Sequence, residues 1–451
     1  MKKNDIVKLN ITALTGGGDG VAHAHDGITV FVPNTAVGDI VEALIIKVKK
    51  NYCIAKLQKV LAPSSNRIET DCEISNKCGG CVFRHITYEH ELEIKKEQVE
   101  NSFKRLAKLD VEVDDIQYGN TNFYRNKAQF PIGTDKNGKT VCGFYTKSSH
   151  RIVPCESCKL QPDVFNDIMK VFCEWADEFN ISKYNEVEHS GILRHLYIRL
   201  AEVTNEIMVV VVANSKKLPN SDELVVALKE LLGNNLKSVQ LNVNLAKTNV
   251  VLGNKNVLLF GDSFITDVIC GKKIRISPNS FYQVNRTMAE RLYNIAGELA
   301  ETCDSVILDL YCGVGSIGLS ISDNAKKIIG VEIVEQAVTD AKTNAKLNNA
   351  NNMEFICGDA KEAAEQLKLQ KISPDVVVLD PPRKGCEDKL LHIIANDFKP
   401  KRVVYISCND ATLARDAAIL DVLGYKVKKV IPVDLFPRTG HVETVCLLSK
   451  K

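Results

Sequence analysis

The sequence predicts an α/β protein: a C-terminal doubly wound sheet, preceded by a small β barrel and an α/β middle domain. Three observations carry that expectation. From residue 306 onward, apolar runs at 306–310, 328–331, 353–357, 376–379 and 403–406 alternate with helical stretches. That rhythm belongs to a parallel sheet of the Rossmann-like kind. Near the start, short apolar runs at 6–14, 28–32, 39–48 and 52–60 are broken by Gly16-Gly17-Gly18-Asp19-Gly20 and Val32-Pro33-Asn34, as in a small OB-like barrel. The chain has 451 residues, enough for three domains at ~150 residues each. We place the boundaries at 1–61, 62–270 and 271–451.

The barrel carries five lysines, Lys47, Lys49, Lys50, Lys56 and Lys59, and no acid from Ala43 through Lys59. Lysines on a strand edge discourage edge-to-edge pairing. They equally suit a face that tracks phosphates, with Tyr52 available for base stacking. Ala62-Pro63-Ser64-Ser65 reads as a linker, followed by a cysteine-rich segment and a helix over about 88–108. Runs at 193–200, 207–212, 238–243 and 250–252 read as strands of the middle domain.

Composition narrows the class. The chain is 45% hydrophobic and 25% charged, with 58 Lys plus Arg against 56 Asp plus Glu and a formal net charge of +2. That excludes a protein that coats nucleic acid by overall charge, though not one with a local basic face. The first residues lack the apolar run of a signal peptide, and no stretch approaches the ~20 apolar residues of a membrane span. The expectation is a cytoplasmic protein with reduced thiols, making no membrane contact. Fifteen cysteines are then too many for packing alone, and some should be ligands or nucleophiles.

Cys72, Cys78 and Cys81 stand as C-x-x-x-x-x-C-x-x-C around Gly79-Gly80, and Cys155 and Cys158 follow about 75 residues later. Zinc ribbons separate their cysteine pairs by roughly 15–20 residues. Clustered thiolates plus a remote one suit an iron–sulfur cluster. Spacing favours iron–sulfur over zinc.

Asp309-Leu310-Tyr311-Cys312-Gly313-Val314-Gly315-Ser316-Ile317-Gly318 follows a strand and opens a helix. It contains GxGxxG, and Glu332 ends the next strand, 19 residues after Gly313. Glycines admit a ligand to the backbone, and the acid binds ribose hydroxyls. A nicotinamide dinucleotide and S-adenosyl-L-methionine both need this pair. Asp359 ends the third strand, where an acid can bind an adenine amino group. Asp380-Pro381-Pro382-Arg383 ends the fourth, and its rigid turn sets Asp380 at the ligand-binding rim. Either Glu332 or Asp359 alone reads as a helix cap or loop acid; together at successive strand ends they indicate a cofactor site. The fifth strand ends in Ser407-Cys408-Asn409. There Cys408 is a candidate nucleophile whose position at a helix start favours thiolate. Near the C-terminus, His441 and Glu443 are both candidate general bases.

These motifs together resemble the RNA uracil-5-methyltransferases of the iron–sulfur, TRAM-domain type that act on bacterial 23S ribosomal RNA, over essentially the whole chain. The resemblance implies a TRAM barrel at 1–61, a 4Fe-4S cluster on Cys72, Cys78, Cys81 and Cys158, and a methyltransferase domain at 271–451. Ser280-Phe281-Tyr282-Gln283-Val284-Asn285 is similar to the family's cofactor segment. Gln283, Tyr311, Glu332 and Asp380 are then implied S-adenosyl-L-methionine contacts, joining Gly313 and Asp359 from the loop and strand positions. Cys408 matches the family's nucleophile, and Glu443 in His-Val-Glu-Thr matches its proton acceptor. The implied reaction is methylation of uracil carbon 5 through a cysteine adduct at carbon 6. The implied partner is ribosomal RNA, with transfer RNA as the alternative, acted on by a monomer. A nicotinamide-dependent iron–sulfur oxidoreductase would leave Cys408 and the Pro-Pro turn without a role. A noncatalytic RNA-binding factor would need neither Cys408 nor Glu443.

Overall fold

The computed structural model describes residues 1–147 and 149–451. Its C-terminal sheet has seven strands: β1 (Val306–Leu310), β2 (Lys327–Glu332), β3 (Met353–Cys357), β4 (Val376–Leu379), β5 (Arg402–Ser407), β6 (Tyr425–Val433) and β7 (Glu443–Lys450). Their spatial order is β3, β2, β1, β4, β5, β7, β6. The first five are parallel; β7 enters antiparallel between β5 and β6. Unbroken apolar strands form because both faces are covered. Leu308, Leu310, Val331, Leu379 and Tyr405 face one core, while Ile307, Ile328, Val378, Val404 and Ile406 face the other. Strand β6 was not anticipated: its alternation slips at a register shift between Val427 and Lys429.

The helix expected over 88–108 is α-helical at Tyr88–Asn101 and continues as a π-helix at Ser102–Ala107. Val99 and Phe103 belong to the core of the C-terminal sheet, so this helix packs against that sheet. A buried charge network fixes it there. Lys95 Nζ donates to Glu91 at 2.7 Å and to Asp434 at 2.8 Å.

The middle sheet has seven strands, from Lys255–Gly261 through Leu236–Val243, Glu206–Ala213, Leu193–Ala201, Lys127–Thr134 and Thr140–Tyr145 to Ile152–Pro154. Helices Asp163–Glu178 and Ser221–Leu232 cover one face. The run at 250–252 is not a strand; the carbonyls of Val250 and Val251 instead accept from the Asn244 side chain. A hairpin, Ile265–Ile269 with Lys272–Ile276, leads toward the C-terminal sheet.

The N-terminal sheet has six strands, two more than the four apolar runs suggested. The run at 6–14 splits into Ile6–Asn10 and Ala13–Leu14, and the glycine-rich stretch supplies Asp19–His23. All five lysines of the Ala43–Lys59 stretch are exposed. The turn that follows Ala13–Leu14 touches the C-terminal loop at Gly440, where a Cβ would lie 1.8 Å from the Gly16 carbonyl oxygen. Among the described residues, no helix is long and apolar enough to cross a membrane.

Candidate active site

The carboxyl ends of β1, β2, β4 and β5 open into a cavity of about 840 Å³. All nine residues singled out for catalysis or cofactor binding line it: Gln283, Tyr311, Gly313, Glu332, Asp359, Asp380, Cys408, His441 and Glu443. The glycine loop after β1 turns sharply. Gly313 and Gly315 have φ of 56° and 80°, and Tyr311 is left-handed at 68°. A Cβ on Gly313 would meet nothing within 4 Å, so the backbone lies open to a ligand. Glu332 accepts from the Gly313 amide at 3.1 Å and the Val334 amide at 2.9 Å, bridging the loops after β1 and β2. Asp359 caps helix Ala360–Leu369, accepting from the Lys361 amide at 2.9 Å. Both acids therefore do local backbone work while facing the cavity.

The 278–284 segment is held by the middle sheet. Asn126 donates to the Gln283 carbonyl at 3.0 Å, and buried Arg199 donates to the Ser280 carbonyl at 2.8 Å. Asn285 caps the following helix and donates to the Leu435 carbonyl at 3.1 Å.

The two side chains flanking Cys408 lock its loop. Ser407 Oγ accepts from the Asn409 amide at 3.1 Å, and Asn409 Nδ2 donates to the Arg383 carbonyl at the same distance. Asn409 also caps helix Asp410–Val422. That corrects the expectation of a helix-stabilised thiolate. The Asn409 carboxamide occupies the first free amides, and burial plus the Glu443 and Asp380 carboxyls push the Cys408 thiol up. Arg383 beside it acts in the opposite direction. Burial pushes Asp380 up to about 7. Glu443 rises to about 8, from burial first and then from Asp380, with Arg383 opposing. His441, 3.3 Å from the Arg383 guanidinium, is pushed down by burial and that cation.

Sequence reasoning gave no role to Arg383, although its motif was noticed, and passed over Arg125, which also lines the cavity. Arg125 immediately precedes a middle-domain strand, so nothing local in sequence links it to this rim.

A second cavity, of about 250 Å³, collects Cys72, Cys78, Cys81, Cys155 and Cys158 with Arg84, Arg125 and Lys127. Burial, then the neighbouring thiols, raise Cys78; Cys81 rises to about 11. A hydrogen bond from Cys155 brings Cys158 down to about 7. Among the described residues, no three His, Cys, Asp or Glu side chains converge closely enough to hold a metal ion. Just past Cys81, the amides of Val82 and Phe83 donate to the Arg438 carbonyl at 2.9 and 3.2 Å. The cysteine segment is thus tied to the loop that leads to Glu443.

The strand order and the glycine loop facing an acid make a nucleotide-type cofactor site, and the likeness to known proteins assigns it to the S-adenosylmethionine-dependent methyltransferases. The chain belongs to the RNA uracil-5-methyltransferase family: a profile described as tRNA (Uracil-5-)-methyltransferase matches residues 87–451, and a TRAM domain matches residues 2–57. An uncharacterised RNA methyltransferase of Clostridium tetani is 45% identical over 100% of this chain and 97% of its own length. One from Staphylococcus aureus strain MSSA476 is 41% identical over 100% and 99%. The crystal structure of the Pyrococcus abyssi tRNA (uracil-54, C5)-methyltransferase with S-adenosyl-L-homocysteine has a TM-score of 0.79 and 28% identity, covering 98% of this chain and 100% of that one.

Proposed function

We propose that this enzyme methylates carbon 5 of a uridine in 23S ribosomal RNA through a covalent Cys408 adduct. The observation that carries the reading is the convergence of Cys408, Asp380 and Glu443 in the cavity that holds the glycine loop and Glu332. Gln283, Tyr311, Gly313, Glu332, Asp359 and Asp380 would hold S-adenosyl-L-methionine, which supplies an electrophilic methyl group when bound. Uracil carbon 5 is a weak nucleophile. Addition of the Cys408 thiolate to carbon 6 makes an enolate and turns carbon 5 into a strong one. Arg383 favours the thiolate that burial and the two carboxyls oppose. Once carbon 5 has taken the methyl group, Glu443 accepts the carbon-5 proton, and the ring expels the Cys408 thiolate. The target base must leave its stack to reach this pocket.

Cys72, Cys78, Cys81 and Cys158 would hold a 4Fe-4S cluster, to which the cationic lining of Arg84, Arg125 and Lys127 is suited. The group would have no redox step to perform in this reaction; it would shape the segment beside the active-site loop or orient the RNA. Residues 1–61 and 62–270 would grip the RNA and 271–451 would catalyse, in a cytoplasmic monomer.

A second reading, the same chemistry on transfer RNA, is favoured by the full-length likeness to the Pyrococcus enzyme. Labelled methyl incorporation into unmodified 23S ribosomal RNA and unmodified transfer RNA, assayed side by side, separates the two. We expect label in the ribosomal RNA; label only in transfer RNA would replace the first reading with the second.

A further inference from the structure

Two other cysteines meet outside both cavities. Cys142 lies on strand Thr140–Tyr145 and Cys173 on helix Asp163–Glu178, with their Sγ atoms 3.7 Å apart. The elements are locked beside this contact, since the Thr140 amide donates to Asp177 at 2.9 Å. Cys142 is buried, and Cys173 is half-buried at a surface depression that it shares with Lys139, Lys170, Glu174, Asp177 and Glu178. One sulfur is therefore reachable from solvent, and the other stands directly behind it.

We propose that Cys142 and Cys173 are a reversible dithiol–disulfide site that reacts with hydroperoxides. The Cys173 thiolate attacks one oxygen of hydrogen peroxide and the O–O bond breaks. Cys173 becomes a sulfenic acid, and the departing hydroxide takes up a proton as water. The Cys142 sulfur then attacks the Cys173 sulfur. The S–O bond breaks, and the hydroxyl leaves as water with the Cys142 proton. Two thiols and one peroxide give one disulfide and two waters, with two electrons passing from sulfur to oxygen. Assignment of Cys173 as the attacking sulfur follows from its exposure. Contact with Cys142 also holds its thiol below the ordinary value, while Cys142 is held above.

The bond would clip the helix to a strand that supports the cysteine cavity. The Cys155 amide donates to the Cys142 carbonyl at 3.1 Å, and the Gly79 amide donates to the Tyr145 carbonyl at 3.3 Å.

The test treats the full-length protein with hydrogen peroxide, alkylates free thiols with iodoacetamide and maps the peptides by mass spectrometry. We expect loss of alkylation at both Cys142 and Cys173, and a linked peptide lighter by two hydrogens that dithiothreitol resolves. In Cys142→Ser, the Cys173 sulfenic acid should persist and be trapped by dimedone; in Cys173→Ser, Cys142 should remain reduced. Full alkylation of both cysteines while other thiols oxidise would overturn the proposal. So would dimedone labelling of Cys142 in Cys173→Ser. If Cys142→Ser fails to fold, the wild-type linkage and the Cys173→Ser result decide the matter.

Discussion

The catalytic cavity and the cysteine cavity share one lining residue, Arg125, yet are built on opposite principles. In the first, Tyr311, Glu332, Asp380 and Cys408 sit at or just beyond the ends of paired parallel strands, whose ladders fix them before any ligand arrives. In the second, the thiols come from the loops around residues 72–81 and 155–158, and no three converge on a common point. A site at the carboxyl edge of a sheet is organised by the fold itself. One built from loops depends on its occupant, since few backbone bonds oppose its opening.

The largest test of that contrast is Cys408→Ala. Turnover should fall by ~10⁴-fold or more, because no other group can make the carbon-6 adduct. S-adenosyl-L-homocysteine affinity, measured by calorimetry, should hold within a few-fold. A parallel loss of binding would mean that the rim is not organised independently of its nucleophile.

Glu443→Gln should lower turnover by ~10²–10⁴-fold, the range of a lost general base. It should also trap protein covalently on RNA, visible as a slow band in denaturing gels. Free product in place of the trapped species would assign proton removal to another group.

Breaking the network between the two regions comes next. Lys95→Met leaves buried Asp434 without its cation and Glu91 with Arg438 alone, which costs about 3–5 kcal/mol when such a pair is broken. Because Glu91 Oε1 also accepts from the Arg438 amide at 2.7 Å, the loop before β7 should loosen first. Hydrogen exchange at 435–441 would show it. Unchanged protection there would confine the network to anchoring helix Tyr88–Asn101. For the cysteine cavity, Cys78→Ser should remove visible absorption and bound iron from anaerobically purified protein, while S-adenosyl-L-homocysteine affinity stays level. A colourless wild type carrying stoichiometric zinc would overturn the cluster assignment.

The rim was readable because each of its members follows an apolar run that can only be a buried strand, so position along the chain already meant position in space. Lys95 and Asp434 lie 339 residues apart, and no periodicity announces their meeting. Arg125 was invisible for the same reason. Strand β6 escaped because its alternation is broken by a bulge, and Asp19–His23 because its glycines resemble a turn. The Cys408 environment misled differently. Sequence showed the helix start, which lowers a thiol, but not the burial and the Glu443 and Asp380 carboxyls, which raise it.

The finest difference between the regions is electrostatic, and pH reads it. Folding raises Glu443 from an ordinary 4.5 to about 8, and Asp380 from 3.8 to about 7. Between the unfolded and folded values, the native state holds protons that the unfolded chain has released. Stability from these groups is therefore fully present below about pH 4 and is lost as pH rises toward 8. Glu443→Gln removes one such group without emptying its space. It should flatten the decline and leave the variant more stable than wild type at pH 8, by on the order of 4 kcal/mol. The same proton that steadies the fold blocks the base, so wild-type methyl transfer should climb with pH through 7 to 8 while thermal stability falls. Urea titrations and single-turnover rates at matched pH values measure both slopes. Parallel slopes for wild type and Glu443→Gln in the urea series would mean that Glu443 ionises normally in the folded protein, and its assignment as a tuned base would fall with that result.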